Sequence, residues 1–141
     1  MYYIDTNVWI YAVTAHPKYG PACKDVLDSI EKKGIRAMVS TQVLSEVVGV
    51  LYRYYKVKDT TLQIDAILSY PIEAVVVTPD VVRRGAEYAR DYNVLPYDGI
   101  HVAIASKYAT NRIISADREL DKIDFVERID PLEMEQKPSR P

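Results

Sequence analysis

The sequence predicts a three-layer α/β/α protein with a mostly parallel central sheet of four to five strands. Short apolar runs alternate with segments of helical periodicity, which is the order of parallel strands joined by helical crossovers. The apolar residues are mainly β-branched, with 17 Val and 13 Ile against 8 Leu, as is typical of buried parallel strands. The length of 141 residues can bury one core. We predict one domain over residues 1–130 and a flexible C-terminal tail over residues 131–141.

The first half of the chain is predicted to contain two strands and four helices. Pro21 suits the first turn of a helix and Gly34 suits its end. Ser40 or Thr41 can cap the helix that follows the second strand. The predicted strands are residues 1–4 and 35–39, and the predicted helices are residues 6–14, 21–33, 41–55 and 59–70.

The second half is predicted to add three strands and two helices. The Thr-Pro-Asp sequence at residues 78–80 supplies a cap, a proline and an acid for a helix that stops at Asn93. Residues 95–97 are predicted as a loop, Asp98 opens the next helix, and residues 117–121 form a turn. The predicted strands are residues 72–77, 112–115 and 125–129, and the predicted helices are residues 79–92 and 98–109.

The composition excludes several classes of protein. Cys23 is the single cysteine, which excludes a disulfide framework and a cysteine-based zinc site. No apolar run reaches the roughly 20 residues of a membrane-spanning helix, and the amino terminus lacks a signal-peptide pattern. We therefore expect a cytoplasmic protein with no membrane partner. The net charge of −2 argues against binding nucleic acid by bulk electrostatics.

Acidic residues recur where the predicted strands end. Asp5 follows the first strand, and Glu46 lies in the helix that follows the second. Asp98 begins the helix that leads to the fourth strand, and Asp117 follows that strand. Ligands of open parallel sheets bind beyond the carboxyl ends of the strands. We therefore expect these four carboxylates to converge at one edge of the sheet.

Each Asp also has an ordinary structural interpretation, because Asp is favoured at helix caps and in turns. Glu46 is harder to explain in this way, since it borders the apolar stripe of its helix. A charge beside the core is costly unless it is paired or bound to a metal. Arg53, seven residues later, is too far along the helix for the usual ion pair.

Four carboxylates at one edge would repel one another unless a cation joined them. Two unit charges about 5 Å apart cost roughly 3 kcal/mol at an effective dielectric constant near 20. Oxygen donors favour Mg²⁺ or Mn²⁺ over zinc or copper. Setting the four acids aside changes the net charge of the chain from −2 to +2. The negative charge would therefore belong to a metal site, and the net charge would be a misleading guide to whether the protein binds nucleic acid.

These motifs resemble those of PIN-domain nucleases. Residues 3–7, Tyr-Ile-Asp-Thr-Asn, match the family's opening strand and its first Asp. Glu46, the segment 97–105 that contains the helix-starting Asp, and the Ser-Ala-Asp sequence at residues 115–117 follow in the same order. The resemblance covers residues 1–129. In size and layout the chain is most similar to the VapC-type toxin branch.

The resemblance implies a Mg²⁺- or Mn²⁺-dependent endoribonuclease, the toxin of a toxin–antitoxin pair. Asp5, Glu46, Asp98 and Asp117 would hold the cation directly or through water. A metal-activated water would attack the scissile phosphate, and the cation would stabilise the leaving oxygen. The expected products carry a 5′-phosphate and a 3′-hydroxyl. The implied partners are an RNA substrate, a cognate antitoxin and a second copy of the chain in a homodimer.

Three residues close to Asp5 and Asp117 are candidates for supporting roles. Thr6 and Asn7 either orient Asp5 or cap the first helix. Ser115 stands where the family more often has Thr, and it keeps the hydroxyl group.

Two further polar residues leave alternatives open. Asp121 is either an outer acid of the site, one turn after Asp117, or a solvated residue beside Lys122. His101 shares a helix face with Asp98. We favour a packed or hydrogen-bonded histidine over a general base, because metal-activated water needs no histidine.

Residues 51–58 interleave bases with aromatic residues. Arg53 and Lys56 are candidates for RNA binding, although cations are also favoured at an ordinary helix end. Trp9 and Tyr11 on the first helix suit an interface with a second copy or an antitoxin, since aromatic residues are enriched at interfaces.

Other functions fit the sequence less well. A non-catalytic PIN-like domain that binds RNA or protein is the main alternative, and the four intact acids speak against it. A metal phosphatase of the Asp-x-Asp type would need an acid where Asn7 stands. A receiver domain would need a phospho-acceptor Asp after the third strand, where Val77 and Thr78 stand.

Overall fold

Five short strands form one sheet in the computed structural model, which describes residues 1–136. All neighbouring strands pair in parallel, in the spatial order β3-β2-β1-β4-β5. The strands are β1 (Tyr2–Ile4), β2 (Ala37–Ser40), β3 (Glu73–Val75), β4 (Arg112–Ile114) and β5 (Glu127–Ile129). The predicted α/β fold is confirmed, and the sheet is entirely parallel.

Helices flank the sheet. They are α1 (Thr6–Val13), α2 (Gly20–Glu31), α3 (Thr41–Tyr55), α4 (Thr61–Ser69), α5 (Pro79–Tyr92), α6 (Pro96–Lys107) and α7 (Pro131–Gln136), with a short 3₁₀ helix at Arg118–Lys122. Ser40 caps α3 through a hydrogen bond from Val43 N to its Oγ. Asn93 ends α5 with a φ of 55°, as the sequence predicts. Among the described residues, no helix has the length and apolar character needed to cross a membrane.

The central position of β1 arranges the candidate site. Tyr3 of β1 is in register with Met38 of β2 and with Ile113 of β4. The side chains of all three are fully buried, so the middle of the sheet lies in the core. The carboxyl ends of β2, β1 and β4 are therefore adjacent, and Ser40, Asp5 and Ser115 lie side by side at one edge of the sheet.

Two glycines allow α5 and α6 to pack in unusually close contact. A Cβ atom on Gly85 would lie 2.6 Å from Cγ1 of Ile100, and one on Gly99 would overlap the carbonyl oxygen of Gly85. Because Gly99 directly follows Asp98, this close crossing fixes the position of the first turn of α6.

Three local predictions differ from the structure. Residues 96 and 97 belong to α6 and not to a loop, because Pro96 occupies the first turn, where its missing N–H costs nothing. The turn at residues 117–121 is a 3₁₀ helix capped by Asp117. The segment predicted as a tail begins with α7, which packs on α2. Asp130 starts α7 by accepting a 2.9 Å hydrogen bond from Leu132 N, and residues 137–141 lie outside the described residues.

Candidate metal centre

Asp5 lies where β1 ends and α1 begins, and it is 5% exposed. Its Oδ1 accepts a 2.7 Å hydrogen bond from Thr6 N, so the residue caps α1. Its Oδ2 accepts a 2.7 Å bond from Ser115 Oγ and a 3.3 Å bond from Asn7 Nδ2. The capping interpretation is therefore correct for Asp5, and the same cap holds its carboxylate at the edge of the sheet.

Glu46 is held by three donors from three elements. Its Oε1 accepts from Thr6 Oγ1 at 2.7 Å and from His101 Nε2 at 2.8 Å, and its Oε2 accepts from Gln42 Nε2 at 3.2 Å. Burial favours the neutral acid, but the hydrogen bond and positive charge of His101 outweigh it and lower the pKa of Glu46. The glutamate is therefore ionised and fixed in one orientation.

Asp98 is the acid whose surroundings best fit a cation. It lies in the first turn of α6, is 8% exposed, and has no hydrogen-bond partner for its buried Oδ2 within residues 1–136. Burial, followed by the negative charges of Asp117 and Asp5, raises its pKa to about 7. A cation would stabilise a buried carboxylate oxygen that has no hydrogen-bond partner and lies near other carboxylates.

Asp117 completes the set of acids. It caps the 3₁₀ helix, with Oδ1 accepting a 3.0 Å hydrogen bond from Glu119 N. Its own N–H donates to Ser115 Oγ at 3.0 Å. Ser115 also accepts a 3.0 Å bond from Asn7 Nδ2. One buried hydroxyl group therefore joins the loop after β4 to the loop after β1.

The four acids line one cleft of about 520 Å³. Ligand atoms of Asp5, Glu46 and His101 lie within 4.8 Å of one another. No Lys or Arg side chain lines this cleft among the described residues, so His101 is its one potential cation. The lining residues are Asp5, Thr6, Asn7, Ile10, Tyr11, Glu46, Val50, Tyr54, Tyr55, Asp98, His101 and Asp117.

His101 has a larger part in the site than the sequence indicated. It is 2% exposed, and its Nδ1 lies 2.6 Å from the hydroxyl oxygen of Tyr3, opposite the bond to Glu46. Burial disfavours its charged form, but Asp5 and Glu46 outweigh burial and raise the pKa of His101. The structure agrees with a hydrogen-bonded histidine. The signal available in the sequence was its position three residues after Asp98.

Asp121 makes its contacts away from the other acids. Arg128 of β5 binds both of its carboxylate oxygens, at 2.8 and 3.2 Å. The same guanidinium donates to the carbonyl oxygen of Ser115 at 3.0 Å. Asp121 is not among the residues that line the cleft. It is an exposed residue beside Lys122, as the second alternative states, although Lys122 itself pairs with Glu119 at 2.8 Å.

Arg53 and Lys56 lie at the far end of α3. Arg53 lines a groove that adjoins the cleft and shares Glu46, Val50 and Tyr54 with it. Lys56 is the exposed residue that ends α3, with a φ of 56°. The structure thus places Arg53 in a groove that also contains Glu46, and Lys56 lies on the surface one turn further on.

Comparison with protein families gives a match to the PIN domain over residues 2–126. The chain belongs to the PIN-domain family. The distant homologues of this PIN domain are VapC ribonucleases. Ribonuclease VapC2 of Methanocaldococcus jannaschii is 23% identical, over 91% of this chain and 92% of its own length. Ribonuclease VapC13 of Mycobacterium tuberculosis is 26% identical, over 92% of this chain and 99% of its own length.

Solved structures share the fold of this PIN domain at low sequence identity. VapC20 of Mycobacterium tuberculosis, described as a toxin that cleaves the sarcin-ricin loop, superposes with a TM-score of 0.76 at 19% identity. The match covers 89% of this chain and 97% of that one.

Proposed function

We propose that this PIN domain is a Mg²⁺- or Mn²⁺-dependent endoribonuclease. The observation that carries the proposal is the convergence of Asp5, Glu46, Asp98 and Asp117 on one cleft, with the buried Oδ2 of Asp98 unpartnered in the described chain. A hydrolase that cuts phosphodiester bonds with divalent metal needs such a set of oxygen donors.

The donor set suits a hard divalent cation. Asp5 and Asp117 each have carboxylate lone pairs that their helix-capping hydrogen bonds do not use. Oδ2 of Asp98 accepts no hydrogen bond from the described residues and is free to bind a cation. Glu46 offers Oε2, which has the longer hydrogen bonds. The bound cation would supply an activated water for attack on the phosphorus atom and positive charge for the leaving oxygen.

The supporting residues keep these carboxylates in place before any cation arrives. Thr6 joins Asp5 to Glu46, because its N–H donates to the first and its hydroxyl donates to the second. Asn7 and Ser115 hold Asp5 from the other side. Such preorganisation reduces the entropy lost on cation binding, because the carboxylates of Asp5 and Glu46 are already ordered.

RNA would lie along the groove that continues the cleft toward Arg53. No Lys or Arg lines the cleft among the described residues, so phosphate contacts would come from outside it, through Arg53 in the adjoining groove and the exposed Lys56. The exposed rings of Tyr54 and Tyr55 at the mouth of the cleft suit stacking with unpaired bases. Binding would therefore depend on the metal and on stacking more than on bulk charge.

A toxin–antitoxin role is part of the proposal. A structural neighbour is a toxin–antitoxin complex from Klebsiella pneumoniae, which shares the fold with a TM-score of 0.67 at 16% identity, over 93% of this chain and 98% of that one. A groove of about 300 Å³ between α1, α2, α3 and α4 is mainly apolar, and Trp9, Val13, Leu62 and Tyr70 line it. We assign this groove to an apolar segment of an antitoxin chain.

A homodimer is proposed as well, on the basis of exposed apolar residues. Leu95 is 67% exposed and Tyr97 is 60% exposed at the start of α6. Sedimentation of the purified protein should give the mass of two chains, and Leu95→Lys should shift it toward one. A single-chain mass for the unchanged protein would contradict the homodimer and leave the nuclease proposal untouched.

The nuclease proposal is tested by incubating the purified chain with total RNA, with Mn²⁺ or with a chelator, and mapping the cut ends. We expect cuts only with metal, with 5′-phosphate and 3′-hydroxyl termini. Binding of RNA without cleavage at any Mn²⁺ concentration would instead support the non-catalytic alternative.

A further inference from the structure

A chain of buried hydrogen bonds leads from the sheet to Glu46. Ser40 Oγ lies 2.8 Å from the hydroxyl oxygen of Tyr3, and that oxygen lies 2.6 Å from His101 Nδ1. His101 Nε2 then bonds Glu46 Oε1 at 2.8 Å and Oε2 at 3.2 Å. We name this chain, from Ser40 through Tyr3 and His101 to Glu46, the Tyr3 relay.

The donor and acceptor of each hydrogen bond in the Tyr3 relay can be assigned by starting from the ionised carboxylate of Glu46. An ionised carboxylate only accepts, so His101 Nε2 must carry a hydrogen. In the neutral ring Nδ1 then accepts from the hydroxyl of Tyr3, and that hydroxyl accepts from Ser40. In the charged ring both of these bonds reverse direction, and Tyr3 donates to Ser40. In both states the two ring nitrogens of His101 keep the same hydrogen-bond partners, Tyr3 and Glu46, so the ring keeps its place.

Burial makes the Tyr3 relay stiff. Tyr3 and Ser40 are fully buried and His101 is 2% exposed, so no water competes for their hydrogen bonds. The rings of Tyr3 and His101 also pack together, with centroids 5.6 Å apart. A buried and fully satisfied polar network fixes its members in one arrangement.

The position of the Tyr3 relay ties it to the other acids. Tyr3 is two residues before Asp5 on β1, and His101 is three residues after Asp98 on α6. The relay therefore joins the elements that carry Asp5, Asp98 and Glu46. His101 Nε2 also lies 3.6 Å from Asp5 Oδ1, which is close enough to influence both carboxylates.

We propose that Tyr3 and His101 are positioning residues that orient the carboxylate of Glu46 for a divalent cation. His101 does not ligate the cation in this arrangement, because Nε2 uses its hydrogen on Glu46 and Nδ1 faces Tyr3. The inference rests on the proposed function, since it requires a cation at this cleft. Outer hydrogen bonds of this kind set the affinity of metal sites by orienting the ligands.

The decisive comparison is between Tyr3→Phe and Tyr2→Phe in the full chain. Each removes one hydroxyl from β1, and the neighbouring Tyr2 uses its hydroxyl on Arg112, on the other face of the sheet. Mn²⁺ binding is measured by titration calorimetry after circular dichroism has shown that both variants are folded. We expect Tyr3→Phe to weaken Mn²⁺ binding by about 10- to 100-fold and Tyr2→Phe to leave it within about twofold.

A second pair of variants tests the same proposal if Tyr3→Phe does not fold. His101→Gln keeps an N–H donor for Glu46, whereas His101→Leu has none. We expect Gln to retain at least tenfold tighter Mn²⁺ binding than Leu. Equal binding by the two variants, or an unchanged affinity in folded Tyr3→Phe, overturns the proposal.

The outcome for the unchanged protein separates this inference from the proposed function. If the unchanged chain binds no Mn²⁺, the nuclease proposal fails and the relay fails with it. If the unchanged chain binds Mn²⁺ and Asp5→Asn abolishes binding while Tyr3→Phe does not, the metal site stands and the Tyr3 relay alone is wrong.

Discussion

The hydroxyl of Ser115 donates a 2.7 Å hydrogen bond to Oδ2 of Asp5, across 110 positions of sequence. It also accepts from Asn7 Nδ2 and from Asp117 N, each at 3.0 Å. A serine hydroxyl has one hydrogen and two lone pairs, so its capacity is fully used. One small side chain therefore fixes the loop that carries Asp5 and the loop that carries Asp117.

Ser115→Ala should weaken the metal site without unfolding the protein. Loss of one buried hydrogen bond to a carboxylate costs about 1.5 kcal/mol, or roughly tenfold in affinity. Calorimetric titration with Mn²⁺ should therefore show about tenfold weaker binding. Ser106→Ala, at an exposed position on α6, removes the same atom and should change nothing. Equal Mn²⁺ affinities in the two variants would contradict a role for Ser115 at the site.

Gly99→Ala should destabilise the fold strongly, because its Cβ would overlap the carbonyl oxygen of Gly85 where α5 and α6 cross. Overpacking against backbone costs about 3 kcal/mol, which lowers Tm by roughly 10 °C in a domain of this size. Gly49 is the matched control, since nothing lies within 4 Å of its added Cβ. Gly49→Ala should raise stability by about 0.5–1 kcal/mol. The Tm of both variants is measured by thermal unfolding in the presence of a chelator. A similar Tm for the two variants would contradict the close packing of α5 on α6.

Stability of the metal-free protein should depend on the ionisation of Asp98. The pKa of Asp98 is raised from 3.8 to about 7. At pH values between these two, the folded protein keeps a proton on Asp98 that the unfolded chain has released. The associated stability is complete below the unfolded pKa and is lost as the pH rises through 7. Asp98→Asn should therefore flatten the fall in Tm between pH 3.8 and about pH 7. Asp25→Asn, at an exposed position on α2, should keep the slope of the unchanged protein.

Arg53→Ala should weaken RNA binding through loss of a phosphate contact. On single-stranded RNA each such contact contributes about 0.7 to the slope of log affinity against log salt. The rate at which a labelled RNA is cleaved with Mn²⁺ at subsaturating RNA concentration, measured over a range of salt concentrations, should show that slope reduced by about 0.7. Arg36 precedes β2 at the opposite edge of the sheet, paired with Glu73 at 3.5 Å, and Arg36→Ala should leave the slope unchanged.

The fold and the four acids could be predicted because both depend on patterns between residues that are close in sequence. Asp5, Asp98 and Asp117 follow strands or begin helices. Parallel pairing brings the carboxyl ends of neighbouring strands together, and this does not depend on which apolar residues form the core. The start of α6 at Pro96 was missed because a proline satisfies a loop and a first helical turn equally well.

The contacts of His101 and Arg128 could not be predicted, because their partners are remote in sequence. His101 meets Glu46 across 55 positions and Tyr3 across 98. Arg128 binds Asp121, which lies 7 positions earlier in the sequence. Neither the period of a helix nor that of a strand predicts a contact at this spacing. Only the register of β4 with β5 and the crossing of α6 over the sheet bring these groups together.

The central claim is that Asp5 belongs to a metal site that cleaves RNA. Its most direct test is the rate of RNA cleavage at saturating Mn²⁺ by Asp5→Asn, beside Asp25→Asn as a control that makes the same change at an exposed position. The account predicts that Asp5→Asn is folded and cuts RNA at least about 1,000-fold more slowly than the unchanged protein, while Asp25→Asn cuts at the full rate. Cleavage by folded Asp5→Asn at a rate near that of the unchanged protein would contradict the account.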